Sequence, residues 1–152
     1  MNLLREVRER IGLLSDGVLY ERAIEFARRH EPVDGAQLNG LLQYAQEWRD
    51  LMQFVDKQRK RAWPQSGRTG HYKHFYDDLY EALRQLERDA AEFVPAGLAR
   101  HEQQAQTAIY AGLLAREFVQ HLVTEAQLVR AIGNIKHADA APTSRRHQRR
   151  EG

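Results

Sequence analysis

Apolar residues in this chain return every three or four positions over stretches much longer than a strand, and that period leaves little room for anything but helix. It is clearest where Leu38, Leu41, Ala45, Trp48, Met52 and Val55 form one continuous seam, widened by Leu42 and Leu51. The opposite face is mostly Gln, Glu, Arg and Asp, so such a helix has to bury one side against others. With Asp34 as a candidate N-cap, the seam predicts a single helix over residues 34–62.

The same period recurs along the chain. Leu4, Val7, Ile11 and Leu14 predict a helix over residues 2–13, broken by Gly12 and the Ser15-Asp16-Gly17 cluster. Ser15 or Asp16 would then cap a second helix carrying Leu19, Ala23, Ile24, Phe26 and Ala27. It stops at His30-Glu31-Pro32, because the residue before a proline is pushed out of helical dihedrals. Tyr72, Phe75, Tyr76, Leu79, Leu83, Leu86 and Phe93 predict a helix over 71–93, ended by Pro95-Ala96-Gly97. A last long helix spans 98–132. Its segment Ile109–Val123 is apolar on more than one side, which suits either the centre of a bundle or a contact with another subunit. Arg116 and Glu117 would then sit at a rim or pair across an interface, and His121 would be a hydrogen-bonded core or interface histidine. The expected architecture is all-α: one bundle of about five helices over residues 1–133. A disordered basic tail is expected over 134–152, where APTSRRHQRREG has too few apolar residues to fold on.

Charge is distributed unevenly over this frame. The net charge is +2, yet residues 57–76 hold six Lys or Arg (Lys57, Arg59, Lys60, Arg61, Arg68, Lys73) and no Asp or Glu. Four aromatics, Trp63, Tyr72, Phe75 and Tyr76, interleave with them around the turn-rich run Pro64–Gly70. Cations for phosphates, flat rings for bases and a glycine loop are what single-stranded nucleic-acid binders combine. Part of the cluster has a simpler reading, since a helix C-terminus attracts positive charge on its own. An acidic protein partner would also suit such a patch.

Several chemistries lack their residues. The chain has no cysteine, which excludes disulfides, thiolate metal sites and cysteine nucleophiles. His30-Glu31 and His101-Glu102 lack the second histidine of a zincin motif, and His71 with His74 at i, i+3 has only Asp77 and Asp78 nearby, so no metal site or other cofactor is expected. No nucleophile-elbow or glycine-rich phosphate motif occurs, and a non-catalytic protein is the expectation. Asp77, Asp78 and Glu81 read as ion-pair partners of nearby cations. No apolar run approaches the ~20 residues that cross a bilayer, and the first residues do not read as a cleavable signal, so a cytoplasmic location without membrane contact is expected.

Three segments resemble the small helical subunit of type III CRISPR effector complexes, the Csm-type small subunit. Pro32–Asn39 is similar to that family's lead-in to a helix opening on Gln-Leu, here Gln37-Leu38. Gln65-Ser66-Gly67-Arg68 resembles its Gly-Arg loop after a cationic helix, and Phe75 stands where an early phenylalanine opens the next helix. Asn39 occupies the family's arginine position, and Pro64 lies beside the place of a loop aromatic. Over residues 18–125 the resemblance implies a five-helix, non-catalytic protein present in several neighbouring copies among other subunits of a ribonucleoprotein. It would brace a guide–target RNA duplex through backbone contacts. Gln37, Gly67 and Arg68 carry over from the resemblance as RNA contacts. Lys57, Arg59, Lys60, Arg61 and Lys73 follow from charge alone, with Trp63 or Tyr72 stacking on a base. The competing expectation is a helical adaptor or scaffold that binds only protein.

Overall fold

In the computed structural model, which describes residues 3–140 (side chains 5–136), the helical period is realised as five rods with no strand among those residues. Helix α1 (Leu3–Leu14), a π-helical turn (Ser15–Leu19) and α2 (Tyr20–Arg29) run on without interruption. They are followed by α3 (Gly35–Tyr44), α4 (Trp48–Lys60), α5 (Tyr72–Ala91) and α6 (Arg100–Ala140). Helix α6 is the axis, packing against α2, α3, α4, α5 and the π turn. Ala111, Leu114, Ala115, Phe118, Val119, Leu122 and Val123 are all buried, so its two-sided apolar segment lies at the bundle centre. Arg116 donates to the Gln46 carbonyl and Glu117 accepts from Ser15, so both have partners within the chain. No described helix is long and apolar enough to cross a membrane.

The structure departs from the sequence expectation at three places. The predicted break at residues 12–17 does not occur. Ser15 is buried, and its hydroxyl is bonded to Glu117 and His121 on α6 rather than to the start of a new helix. The turn widens instead, with the Tyr20 N–H reaching both Ser15 O and Gly17 O, and so absorbs the polar cluster without ending the helix. Conversely, the predicted 34–62 helix is two. Glu47 takes extended dihedrals (φ −139°, ψ 132°) between α3 and α4, and Arg116 satisfies the freed Gln46 carbonyl at 3.1 Å. The apolar seam runs through the kink unbroken because Ala45 and Trp48 stay buried on either side of it. Finally, α6 continues through Gly133 to Ala140. An interior glycine costs a helix only about 1 kcal/mol against alanine, too little to stop one already propagating. Residues 141–152 of the expected tail lie outside the described residues.

Candidate nucleic-acid interface

The basic segment occupies the end of α4, the connection that follows and the start of α5. Arg61 closes α4 in an extended conformation (φ −67°, ψ 145°), and the chain then turns tightly back. Gly67 adopts φ +85°, a region that a side chain disfavours, and the Gly70 N–H bonds to Gly67 O at 3.1 Å. A Cβ on Gly70 would fall 2.9 Å from the Ser66 Cα, so glycine is required there by space. The loop is therefore a defined turn that presents Arg68 to solvent.

The six cations separate into two groups. Asp56 holds Arg59 at 2.5 Å and Lys60 at 2.8 Å, and the Arg59 guanidinium also lies 3.9 Å over the Tyr80 ring. Lys73 lies 3.4 Å from Asp77 and 3.4 Å from the Arg59 carbonyl. Hydrogen bonds from Lys60 and then Arg59 hold the Asp56 carboxyl below its ordinary 3.8, and the same contact with Asp56 raises Arg59. Lys57, Arg61 and Arg68, by contrast, are exposed and have no carboxylate within ion-pair distance among the described residues. The acid-free run is thus bracketed by two carboxylates, Asp56 and Asp77, that together engage three of its six cations.

The aromatic residues do not form a stacking platform. Tyr72 is only 3% exposed, and its hydroxyl accepts the backbone N–H of Asp34 at 2.9 Å, which corrects the expectation that it stacks on a base. Trp63 is half-buried: its Nε1 donates to Gln58 O at 2.7 Å, and its ring packs against Tyr72 and Tyr76 with Arg61 4.4 Å above it. Phe75 and Tyr76 are buried core. Gln37, expected as an RNA contact, is half-buried and engaged within the fold. Its N–H caps onto Asp34 Oδ1 and its Oε1 accepts the Tyr76 hydroxyl. Burial raises both the Tyr72 and the Tyr76 phenols above their ordinary 10.0.

Two polar clusters escaped sequence reasoning because their members are far apart in the chain. One is Ser15 with Glu117 and His121. The hydroxyl has a single proton, so when it donates to Glu117 it accepts from His121. The other joins His30, at the end of α2, to His74 and Asp78 on α5. Its i, i+4 half was visible in the sequence; its buried third member was not. His71, the other candidate at i, i+3, turns instead to Pro32 O at 3.1 Å and Glu31 at 3.3 Å.

Fold and site together define a helical bundle with a partly neutralised basic joint at one helix–loop–helix junction. Compared with protein-family models, curated proteins and solved structures, the chain matches none.

Proposed function

We propose that the chain is a non-catalytic RNA-binding subunit whose α4–α5 joint holds the phosphate backbone through Lys57, Arg61 and Arg68. The observation that carries this reading is their exposure without carboxylate partners around a loop fixed by Gly67 and Gly70. Arg59, Lys60 and Lys73 add weaker attraction because Asp56 and Asp77 already engage them. Contact is with phosphates and not with bases, since the neighbouring rings are committed to packing. The resemblance to type III CRISPR small subunits fits a protein of this kind and suggests the guide–target duplex as its ligand, with the cytoplasm as its location.

The test is fluorescence polarisation with single-stranded and duplex RNA across a salt series. Each phosphate contact contributes about −0.7 to −0.9 to the log–log slope. Lys57→Glu/Arg61→Glu/Arg68→Glu is expected to abolish most of that slope, whereas reversal of Arg5 and Arg8 on α1 leaves it intact. Absence of binding at low salt, or a triple variant that binds like wild type, removes the proposal.

One further observation favours a second role, assembly with another copy of the chain. Leu128, Val129, Ile132 and Ile135 are exposed along the end of α6, at spacings that form a single apolar stripe. A subunit that repeats along RNA needs such a contact, and an adaptor without an RNA role would need it equally.

A further inference from the structure

Outside the basic joint, three ligand-type side chains converge where α2 ends against α5. His30 follows the last turn of α2 in an extended conformation (φ −126°, ψ 135°), which swings its ring inward over Phe26 and Phe75. His74 and Asp78 lie one turn apart on α5 and so present their side chains on the same face. One nitrogen from each imidazole and one Asp78 oxygen all lie within 4.8 Å of one another.

The geometry is that of ligands around a common point. Asp78 Oδ2 is 3.0 Å from His30 Nε2 and 3.7 Å from His74 Nε2. An ion with bonds of about 2.0–2.2 Å separates tetrahedral ligand atoms by roughly 3.3–3.6 Å, so one of these spacings has to open and the other to close by a few tenths of an ångström for the three to share it. A simple histidine–carboxylate hydrogen bond would account for less. The His30 side chain is only 4% exposed, and the Asp78 carboxylate 3.0 Å from its Nε2 is poorly aligned as a hydrogen-bond acceptor. An ion on the lone pair of that nitrogen would give it a well-directed partner.

We propose that His30, His74 and Asp78 bind a divalent first-row transition ion of the zinc type, which pins the end of α2 to the first turns of α5. Two imidazoles and one carboxylate are borderline donors that suit zinc, cobalt or nickel and not calcium or magnesium. His74 is 73% exposed and Asp78 41%, so solvent reaches the ion from one side and water completes the coordination. The site lies one helical turn from the α2–α3 connection that Tyr72 and His71 hold, and the ion would reinforce that same junction.

The full chain, stripped with EDTA and dialysed, is titrated with Zn²⁺ by calorimetry and with Co²⁺ by visible absorption. One ion per chain is expected, with a Co²⁺ ligand-field band and a melting temperature that rises with Zn²⁺ concentration. His74→Ala and Asp78→Asn alter exposed side chains and are expected to fold as wild type by circular dichroism. Each should weaken Zn²⁺ binding at least tenfold and abolish the melting shift. No saturable binding, binding that survives either variant, or a melting shift retained in His74→Ala would overturn the site.

Discussion

Tyr72 accepts the backbone N–H of Asp34 through its hydroxyl at 2.9 Å, joining the first turn of α5 to the residue that caps α3. Asp34 is held twice, because its own carboxylate accepts the Gln37 N–H at 2.9 Å. Tyr72→Phe keeps the ring and its packing but leaves that N–H without an acceptor in a part-buried place. An unmade bond of this kind costs about 1–3 kcal/mol. The variant is therefore expected to unfold at lower urea concentration with an unchanged m-value, while RNA affinity stays as in wild type. Wild-type stability in Tyr72→Phe would show that the bond contributes nothing, and a loss of RNA affinity without a loss of stability would return the ring to the binding surface.

The two buried phenols also give the fold an alkaline limit. Tyr72 and Tyr76 are raised above their ordinary 10.0 chiefly by burial, whereas in the unfolded chain they ionise at that value. For a group raised in the folded state, the contribution is fully present below the unfolded value and is lost as pH climbs above it, since the unfolded chain then releases protons that the folded one retains. Urea midpoints measured from about pH 9 to about pH 11 should fall, and fall less steeply in Tyr76→Phe once its lower starting stability is subtracted. Parallel pH profiles for wild type and variant would break the link between burial and alkaline unfolding.

The helical class, α5 and the existence of a long α6 were legible in the sequence because each rests on a long apolar period, which tertiary packing reinforces. That α6 is the central helix and not a subunit contact was left open by a period that is apolar on more than one side. What the period could not show is where a helix kinks without changing face. Ala45 and Trp48 keep the seam on either side of an extended Glu47, and Leu14 and Leu19 do so across a π turn. The site was half legible. Lys57, Arg61 and Arg68 were readable as free cations, but a window starting at Lys57 hides Asp56, one residue earlier, which reaches Arg59 and Lys60 at i+3 and i+4. The aromatics looked available because their sequence neighbours are polar; their actual neighbours come from α2, α3 and α4 and from one another. His30 and Asp78 are brought together only by the packing of α2 on α5, which no local pattern encodes.

That hidden carboxylate provides a sensitive test of the phosphate reading. Asp56→Asn frees Arg59 and Lys60 and raises the local charge by one, with no contact to the core removed. If a polyanion lies along this joint, RNA affinity should increase and the salt dependence should steepen by about one phosphate contact, roughly 0.7–0.9 in the log–log slope. Stability is expected to change little, because exposed ion pairs are worth about 0–1 kcal/mol. A structural cap would behave in the opposite way: Asp56→Asn would lower the melting temperature and leave affinity as it was. Polarisation titrations and thermal melts on the same preparation separate the two.

The end of α6 decides between a lone RNA binder and a repeating subunit. Leu128, Ile132 and Ile135 are 52, 46 and 61% exposed, and a helix rarely keeps three such residues in line on a surface that meets only water. The bundle core does not need them: the buried stretch of α6 ends at Ala126. Leu128→Glu/Ile132→Glu should therefore leave the stability of the monomer within about 1 kcal/mol of wild type, as surface changes do. In sedimentation velocity, the wild-type chain is expected to associate with rising concentration and the variant to remain monomeric. If both sediment as monomers throughout, a second copy is not what covers the stripe; if the variant unfolds, the stripe belongs to the fold and the helix end is not a separate contact surface.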